Sequence, residues 1–446
     1  MNSLLHNNIL ADLRSPQPKS EILQKIGILL FSFGVWSFRE IAVVGLAFLL
    51  LGAIISWRQT SRCLTRSPTG ILSLMLIAYI ALSMLYFSLE FQEHALLTIE
   101  EGARHIYLFG FLLFALALRA NVNYIWPAIA LAMAGFFIGR FLYLPDLVSS
   151  SQNWWSTRHA LGFPTAIPMG QYAFAVMLGL LIFFPRLTTP YSRTKLLIWL
   201  LSLAIVTQFI VISQSRSVWL IAPAFIVFTA FMAWRLGVTT RRTLTILGMT
   251  AAVIIFTTST FQYQTIQKRI TKEPETWAQL FEGAIEAIPS TRETGSVKSI
   301  GIRVNMIKFG FEKWAERPLF GWGPGSSKML IQCCAPDSFK KYNDLHSAYP
   351  ETLLRFGLIG ALIGIALVAS LFRDMIAATR NGSLPKDIFL FVLICLALHF
   401  VVAIGNYRVI NYDWRFYWIF FAGIAMAFSP YFSINKEHPS ERVQQG

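Results

Sequence analysis

One histidine and a set of scattered arginines are the side chains of this chain best suited to chemistry. His346 lies in His346-Ser347-Ala348-Tyr349-Pro350-Glu351, just before a proline suited to the first turn of a helix. An imidazole there is placed to take a proton from a hydroxyl, although packing or capping the helix is a duty equally open to it. Glu351 is either its partner or a helix-start acid. Arg216 lies in Ile212-Ser213-Gln214-Ser215-Arg216-Ser217-Val218, between two apolar runs. That connection is too short to carry a charge far from lipid, so the arginine either snorkels as an interfacial anchor or meets an anion. Arg158, Arg303, Arg408 and Arg415 fall on the same, outer face. Guanidinium forks fit phosphate oxygens, and a diphosphate engages two or three at once. The plain alternative is that some of them pair with Asp146, Asp413 or nearby acids. Ser347 joins Arg158, Arg408 and Arg415 as a candidate substrate contact. His159, next to Arg158, is a weaker rival to His346, and Glu90 and Glu93 read as a solvated face.

Other chemistries lack their signatures. No histidines pair at helical spacing and no Asp-x-Asp occurs, so no metal site is expected. Phosphate-loop and dinucleotide glycine patterns are absent too, so no cofactor is expected, and Gly321, Gly323 and Gly325 read as turn residues. Cys333 and Cys334 are adjacent, and a bond between neighbours is strained; no disulfide framework is predicted.

The elements that position these residues are apolar helices. The chain has 446 residues, of which 55% are hydrophobic and 14% charged, against roughly 25% charged in soluble domains. Its mean hydropathy is +0.54. Runs of roughly 16–21 apolar residues fit helices that cross about 30 Å of hydrocarbon. No alternating segments of β-barrel type are seen. About twelve spans are predicted, at 22–38, 41–57, 70–89, 103–118, 124–144, 168–185, 194–213, 217–236, 243–261, 353–372, 387–405 and 414–431. The organisation is nine spans over 1–261, a polar loop over 262–352, and three spans with a short tail over 353–446. Helical periodicity inside the loop falls at 275–288 and 299–315. In the second, Ile300, Val304, Ile307, Phe311 and Trp314 make an apolar stripe with Arg303 at its edge.

Net charge is +15, which in a soluble chain suggests nucleic acid. Here the positive-inside bias absorbs it, and no nucleic-acid partner is expected. Links with Arg58, Arg62 and Arg66, with Arg186, Arg193 and Lys195, with Arg235, Arg241 and Arg242, and with Arg373, Arg380 and Lys386 all fall on one side, which reads as cytoplasmic along with both termini. The link bearing Glu90, Glu93, Glu100 and Glu101, and the long loop, fall on the other. No signal-peptide layout precedes the first span. A polytopic membrane protein with its histidine and arginines at the outer boundary reads as an enzyme working at a membrane face. A transporter instead predicts charges near the bilayer midplane and related halves, and few such charges occur.

These residues resemble the O-antigen ligase family, in the superfamily shared with O-antigen polymerases and protein O-oligosaccharyltransferases. His346-Ser347, nine residues, then Gly357-Leu358-Ile359-Gly360 matches its His-[Asn/Ser/Gln]-x9-Gly-x-x-[Gly/Thr/Tyr] motif. Ser215-Arg216 and Gly301-Ile302-Arg303, leading to Pro318-Leu319-Phe320-Gly321, are similar to two further elements. An Arg-x10-Gly pattern quoted for the polymerases fails, because Trp314 stands where its glycine belongs. The resemblance implies an all-α, GT-C-type glycosyltransferase of the bacterial inner membrane, with one large helical periplasmic loop, inverting and metal-independent. It implies a glycan donor on undecaprenyl diphosphate and lipid A–core as acceptor. Arg216 and Arg303 would bind the donor diphosphate, and His346 would position or deprotonate the acceptor hydroxyl.

Overall fold

The computed structural model describes residues 18–119, 122–145, 158–240, 248, 296–337 and 339–430. Among them every regular element is a helix. Helices α1 (Lys19–Gly34) and α2 (Arg39–Ile55) form a tight hairpin, and α3 (Trp57–Arg66) follows. Then come α4 (Pro68–Glu90), α5 (Ala95–Ile106), α6 (Gly110–Leu118), α7 (Val122–Leu142), α8 (Ala166–Ile182), the short α9 (Phe184–Thr188), α10 (Arg193–Ser213) and α11 (Arg216–Arg235). After the gap, α12 (Ser296–Glu316) and α13 (Ser326–Cys334) precede α14 (Ala348–Arg380), α15 (Lys386–Ile404) and α16 (Tyr412–Ala427).

Seven of the described helical segments are long and apolar enough to cross a membrane, or eight if α2 and α3 are one bent span. Eleven of the twelve predicted segments coincide with helices, but several, such as the 16-residue α1, are shorter than a full crossing. The predicted span at 243–261 and the loop helix at 275–288 lie outside the described residues. The fourth segment begins earlier than predicted. A helical run from Gln92 to Leu118 takes in Glu100 and Glu101, because their helix continues through the charged stretch.

Lipid exposure sorts the helices. On α11, Leu220 is 69% and Val227 70% exposed, and α4 and α14 show similar bare apolar rows. At roughly 25 cal/mol per Å², such rows are unfavourable in water and at no disadvantage in hydrocarbon. At the other extreme, α16 is buried from Tyr417 to Ala427 except at Trp418 and sits at the centre of the bundle, against α6, α14 and α15.

One sequence expectation is corrected here: Cys333 and Cys334 are bonded to each other at the end of α13. On α12, Phe311 is exposed, while Met306, Phe309 and Gly310 are buried. They pack with Leu330, Ile331, Phe339, Leu345 and Leu354 into a small core of their own. Inward packing between α12, α13 and the start of α14 selects that face.

Candidate functional site

The site end of the bundle is defined by contacts between helix termini. In the first turn of α14, the Tyr349 hydroxyl donates to the Phe400 carbonyl near the end of α15 (2.9 Å). Near the start of α8, the Tyr172 hydroxyl donates to the Asp413 carbonyl at the start of α16 (2.5 Å). The His159 amide donates to Ile212 O (3.2 Å) and Arg158 Nε to Ser213 O (3.3 Å), tying the 158–165 segment to the α10–α11 turn. That turn is only Gln214 and Ser215, with Gln214 in a left-handed conformation (φ 45°). Arg216 is therefore the first residue of α11, at this same end; its side chain lies outside the described residues.

His346 is fixed by two acids. Asp344 Oδ1 accepts from the His346 amide (2.8 Å) and from its Nδ1 (2.7 Å), an Asx-type turn that also seizes the ring. His346 has φ 56°, a left-handed conformation that costs a non-glycine residue about 1–2 kcal/mol. Glu351 Oε2 accepts from the neighbouring Leu345 amide (2.9 Å) and holds the turn from the other side. With Nδ1–H committed to Asp344, the tautomer leaves Nε2 as proton acceptor. Ser347 is buried at the N-cap position of α14.

Behind this turn lies a buried ionic network. Arg355, 1% exposed, pairs with Glu351 and with Glu101 of α5; its Nε also donates to Ser327 Oγ (3.2 Å), and its guanidinium lies over the Tyr407 ring (4.9 Å). Burial holds the Tyr407 hydroxyl well above its ordinary range, so it stays protonated and bonds His105 Nε2 (3.1 Å). The sequence reading passed over Asp344, Glu101 and Arg355. An aspartate two residues before the histidine, and the Glu351–Arg355 spacing of four, were the available signals.

The two motif glycines have a shared physical reason. Gly357 interrupts α14 with φ 62° and ψ −168°, a region essentially reserved for glycine. The break frees backbone groups that the 318–323 turn then satisfies. Leu358 N donates to Pro318 O (2.8 Å) and Ile359 N to Leu319 O (3.1 Å), while Trp322 N and Gly323 N donate to Leu354 O and Arg355 O (both 2.8 Å). A Cβ on Gly321 would stand 2.6 Å from Gly357 N. Tyr79 of α4 donates to the freed Phe356 carbonyl (2.6 Å), in space that a side chain at position 360 would take. Glu90, exposed as expected, also pairs with Arg317 (2.5 and 2.9 Å) beside this turn. Between α4 and the 317–321 turn lies a mostly apolar cavity of about 750 Å³.

The other candidates divide. Arg303 precedes Gly310 by seven residues, two turns on the same helix face, and Gly310 packs on the Leu345 side chain next to His346. Arg303 is half-buried there. Arg408 forms a bidentate pair with buried Asp413 (3.0 and 3.1 Å), which gives it a structural duty. Arg415 lies over the Tyr107 ring (4.8 Å), and its buried Nε makes no hydrogen bond. Arg140 lies near the end of α7. It is 0% exposed and none of its three guanidinium nitrogens is hydrogen-bonded. Among the described residues no group of three or more His, Cys, Asp or Glu is placed to share a metal ion.

The chain is thus an all-helical polytopic membrane protein that places His346 and several arginines at one end of its bundle. Residues 200–365 match the Wzy_C family model, described as O-Antigen ligase. The matched stretch contains Arg216, Arg303, His346 and Gly357. No curated protein matches the chain.

Proposed function

We propose that this protein transfers a glycan from undecaprenyl diphosphate to a sugar hydroxyl of lipid A–core at the periplasmic face of the bacterial inner membrane. The observation that carries the reading is the Asp344–His346 pair, held strained at the same end of the bundle as Arg158, Arg216 and Arg303. His346 Nε2 accepts the proton of the acceptor hydroxyl as that oxygen attacks the anomeric carbon from the face opposite the diphosphate. The bond from the anomeric carbon to the diphosphate oxygen breaks, and configuration inverts. Diphosphate is already a competent leaving group, so it needs charge neutralisation more than protonation; Arg216 and Arg303 supply this without a metal. The apolar cavity beside the 317–321 turn is of a size and polarity that suits lipid chains. The whole chain, on this reading, is a GT-C-type enzyme of about twelve spans with cytoplasmic termini and its loop over 262–352 outside.

Reconstitution with purified lipid-linked glycan and lipid A–core tests the proposal. Wild type should form the glycosylated core with or without chelator. His346→Ala should lose about 10²–10⁴-fold in turnover while remaining membrane-inserted, and Arg303→Ala should fail to hold the donor. Full activity in both variants sinks the site. In cells lacking the gene, rough lipopolysaccharide with accumulated lipid-linked polymer is expected. Core bearing a single repeat unit would mark a polymerase instead, and loss of protein-linked glycan a protein oligosaccharyltransferase.

A further inference from the structure

Among the described residues Arg140 has no hydrogen-bond partner, although it is buried. It lies two residues before the end of α7, at the site end of the bundle, and none of its surface reaches solvent. Nε, Nη1 and Nη2 all lack a hydrogen-bond partner. The groups acting on it electrostatically are the hydroxyls of Tyr143, Tyr412 and Tyr172. Among the described residues its guanidinium lies over ring faces: Phe163 at 4.1 Å, with Phe136 and Tyr143 at 5.6 and 5.9 Å. A guanidinium carries five donors in a rigid fork, and rings satisfy none of them. Buried cations without a counter-charge are strongly disfavoured, and inside membranes such residues mark ligand paths.

The covering ring belongs to a segment tied to the site. Phe163 belongs to the 158–165 segment, where Leu161 and Gly162 reverse the chain through left-handed conformations (φ 43° and 83°). The same segment carries Arg158, which is bonded to the carbonyl three residues before Arg216. Phe163 stacks on Tyr172, whose hydroxyl reaches the start of α16 beside the Arg408–Asp413 pair. The Asp413 carboxylate there is already used by Arg408. What the pocket lacks is a bidentate anion.

We infer that Arg140 is a phosphate ligand, masked in this structure by the Phe163 ring, and that an incoming phosphate displaces that ring and takes the guanidinium fork. On the transferase reading, on which this assignment rests for its substrate, the phosphate is one of the two on the lipid carrier. The headgroup of an anionic phospholipid offers the same chemistry, and the experiment separates the two.

The full chain, purified in detergent, is compared as wild type, Arg140→Met, Arg140→Lys and Arg303→Ala. The probes are undecaprenyl diphosphate and, separately, phosphatidylglycerol, with melting temperature and dissociation constant as readouts. A cation kept for a ligand is a burden when the ligand is away. Arg140→Met should therefore melt higher than wild type without ligand, yet bind undecaprenyl diphosphate at least about tenfold more weakly. An arginine kept for packing gives the reverse: Arg140→Met melts lower and binds as wild type, and the inference falls. If Arg140→Met does not fold, Arg140→Lys keeps the charge without the fork; wild-type affinity in that variant overturns the assignment. Arg140-dependent binding of phosphatidylglycerol but not of undecaprenyl diphosphate keeps the phosphate ligand and gives it to a headgroup. Failure of wild type to bind undecaprenyl diphosphate at all counts against the transferase reading. Loss of that binding in Arg303→Ala but not in either Arg140 variant counts against this inference alone.

Discussion

His346 and Asp344 meet through an Asx-type turn that does two jobs with one carboxylate oxygen. It holds the backbone in a left-handed conformation and it fixes which ring nitrogen carries the hydrogen. An asparagine at 344 can still accept the amide bond and keep the turn, but it loses the charge that steadies an imidazolium as the proton arrives. Asp344→Asn should therefore fold as wild type, keep the KM for donor, and lose about 10–100-fold in kcat. Initial rates in the reconstituted reaction check this, and an unchanged kcat would leave the carboxylate with only a folding role. At this scale the sequence was informative about residues with a recognisable motif and silent about those without one. His346 and Arg303 stand out by position, whereas Asp344 is one acid among several in a polar loop until the turn is seen. Glu101 read as part of a charged link because its buried partner, Arg355, is 254 residues away. Long-range ion pairs leave no local trace.

Helix placement was the most legible level, since apolar length alone reports it. What hydropathy concealed is the break inside α14, because the apolar run continues straight through Gly357. The break matters because it welds the 318–323 turn onto the helix that carries His346: four backbone bonds cross there. The nine residues from Ala348 to Phe356 are then a rigid helical strut of about 13 Å between that weld and the histidine. The motif spacing is thus a length. Gly357→Ala puts a Cβ into the Leu319 carbonyl and into a conformation costing about 1–3 kcal/mol for any other residue. It should loosen the loop while leaving the spans inserted, so limited proteolysis should cut near 318–323 far faster than in wild type. Gly364→Ala is the control: it lies in the same helix, a Cβ there meets nothing within 4 Å, and the variant should resist protease as wild type does. Equal resistance in both variants would remove the weld from the account.

At the scale of the whole molecule, the two ends of the bundle differ in kind. One end gathers His346, Arg158, Arg303 and the start of α11. The other carries basic links: Arg186 pairs with Asp387 there, joining the α8–α10 connection to the start of α15. Helix α3, with Arg58, Arg62 and Arg66, turns 94° from α2, as expected of a basic helix laid flat on an anionic membrane surface. These features share the charge asymmetry that the links alone display. Orientation is open to a direct measurement, because the other two cysteines, Cys63 and Cys395, are buried. Lys340→Cys places a thiol on the exposed loop beside the site, and Arg193→Cys places one at the exposed start of α10 on the basic side. In intact spheroplasts a membrane-impermeant maleimide should label Lys340→Cys at once and Arg193→Cys only after lysis. The opposite pattern would turn the site toward the cytosol, where a periplasmic acceptor never meets it, and would end the transferase proposal whatever the geometry of His346.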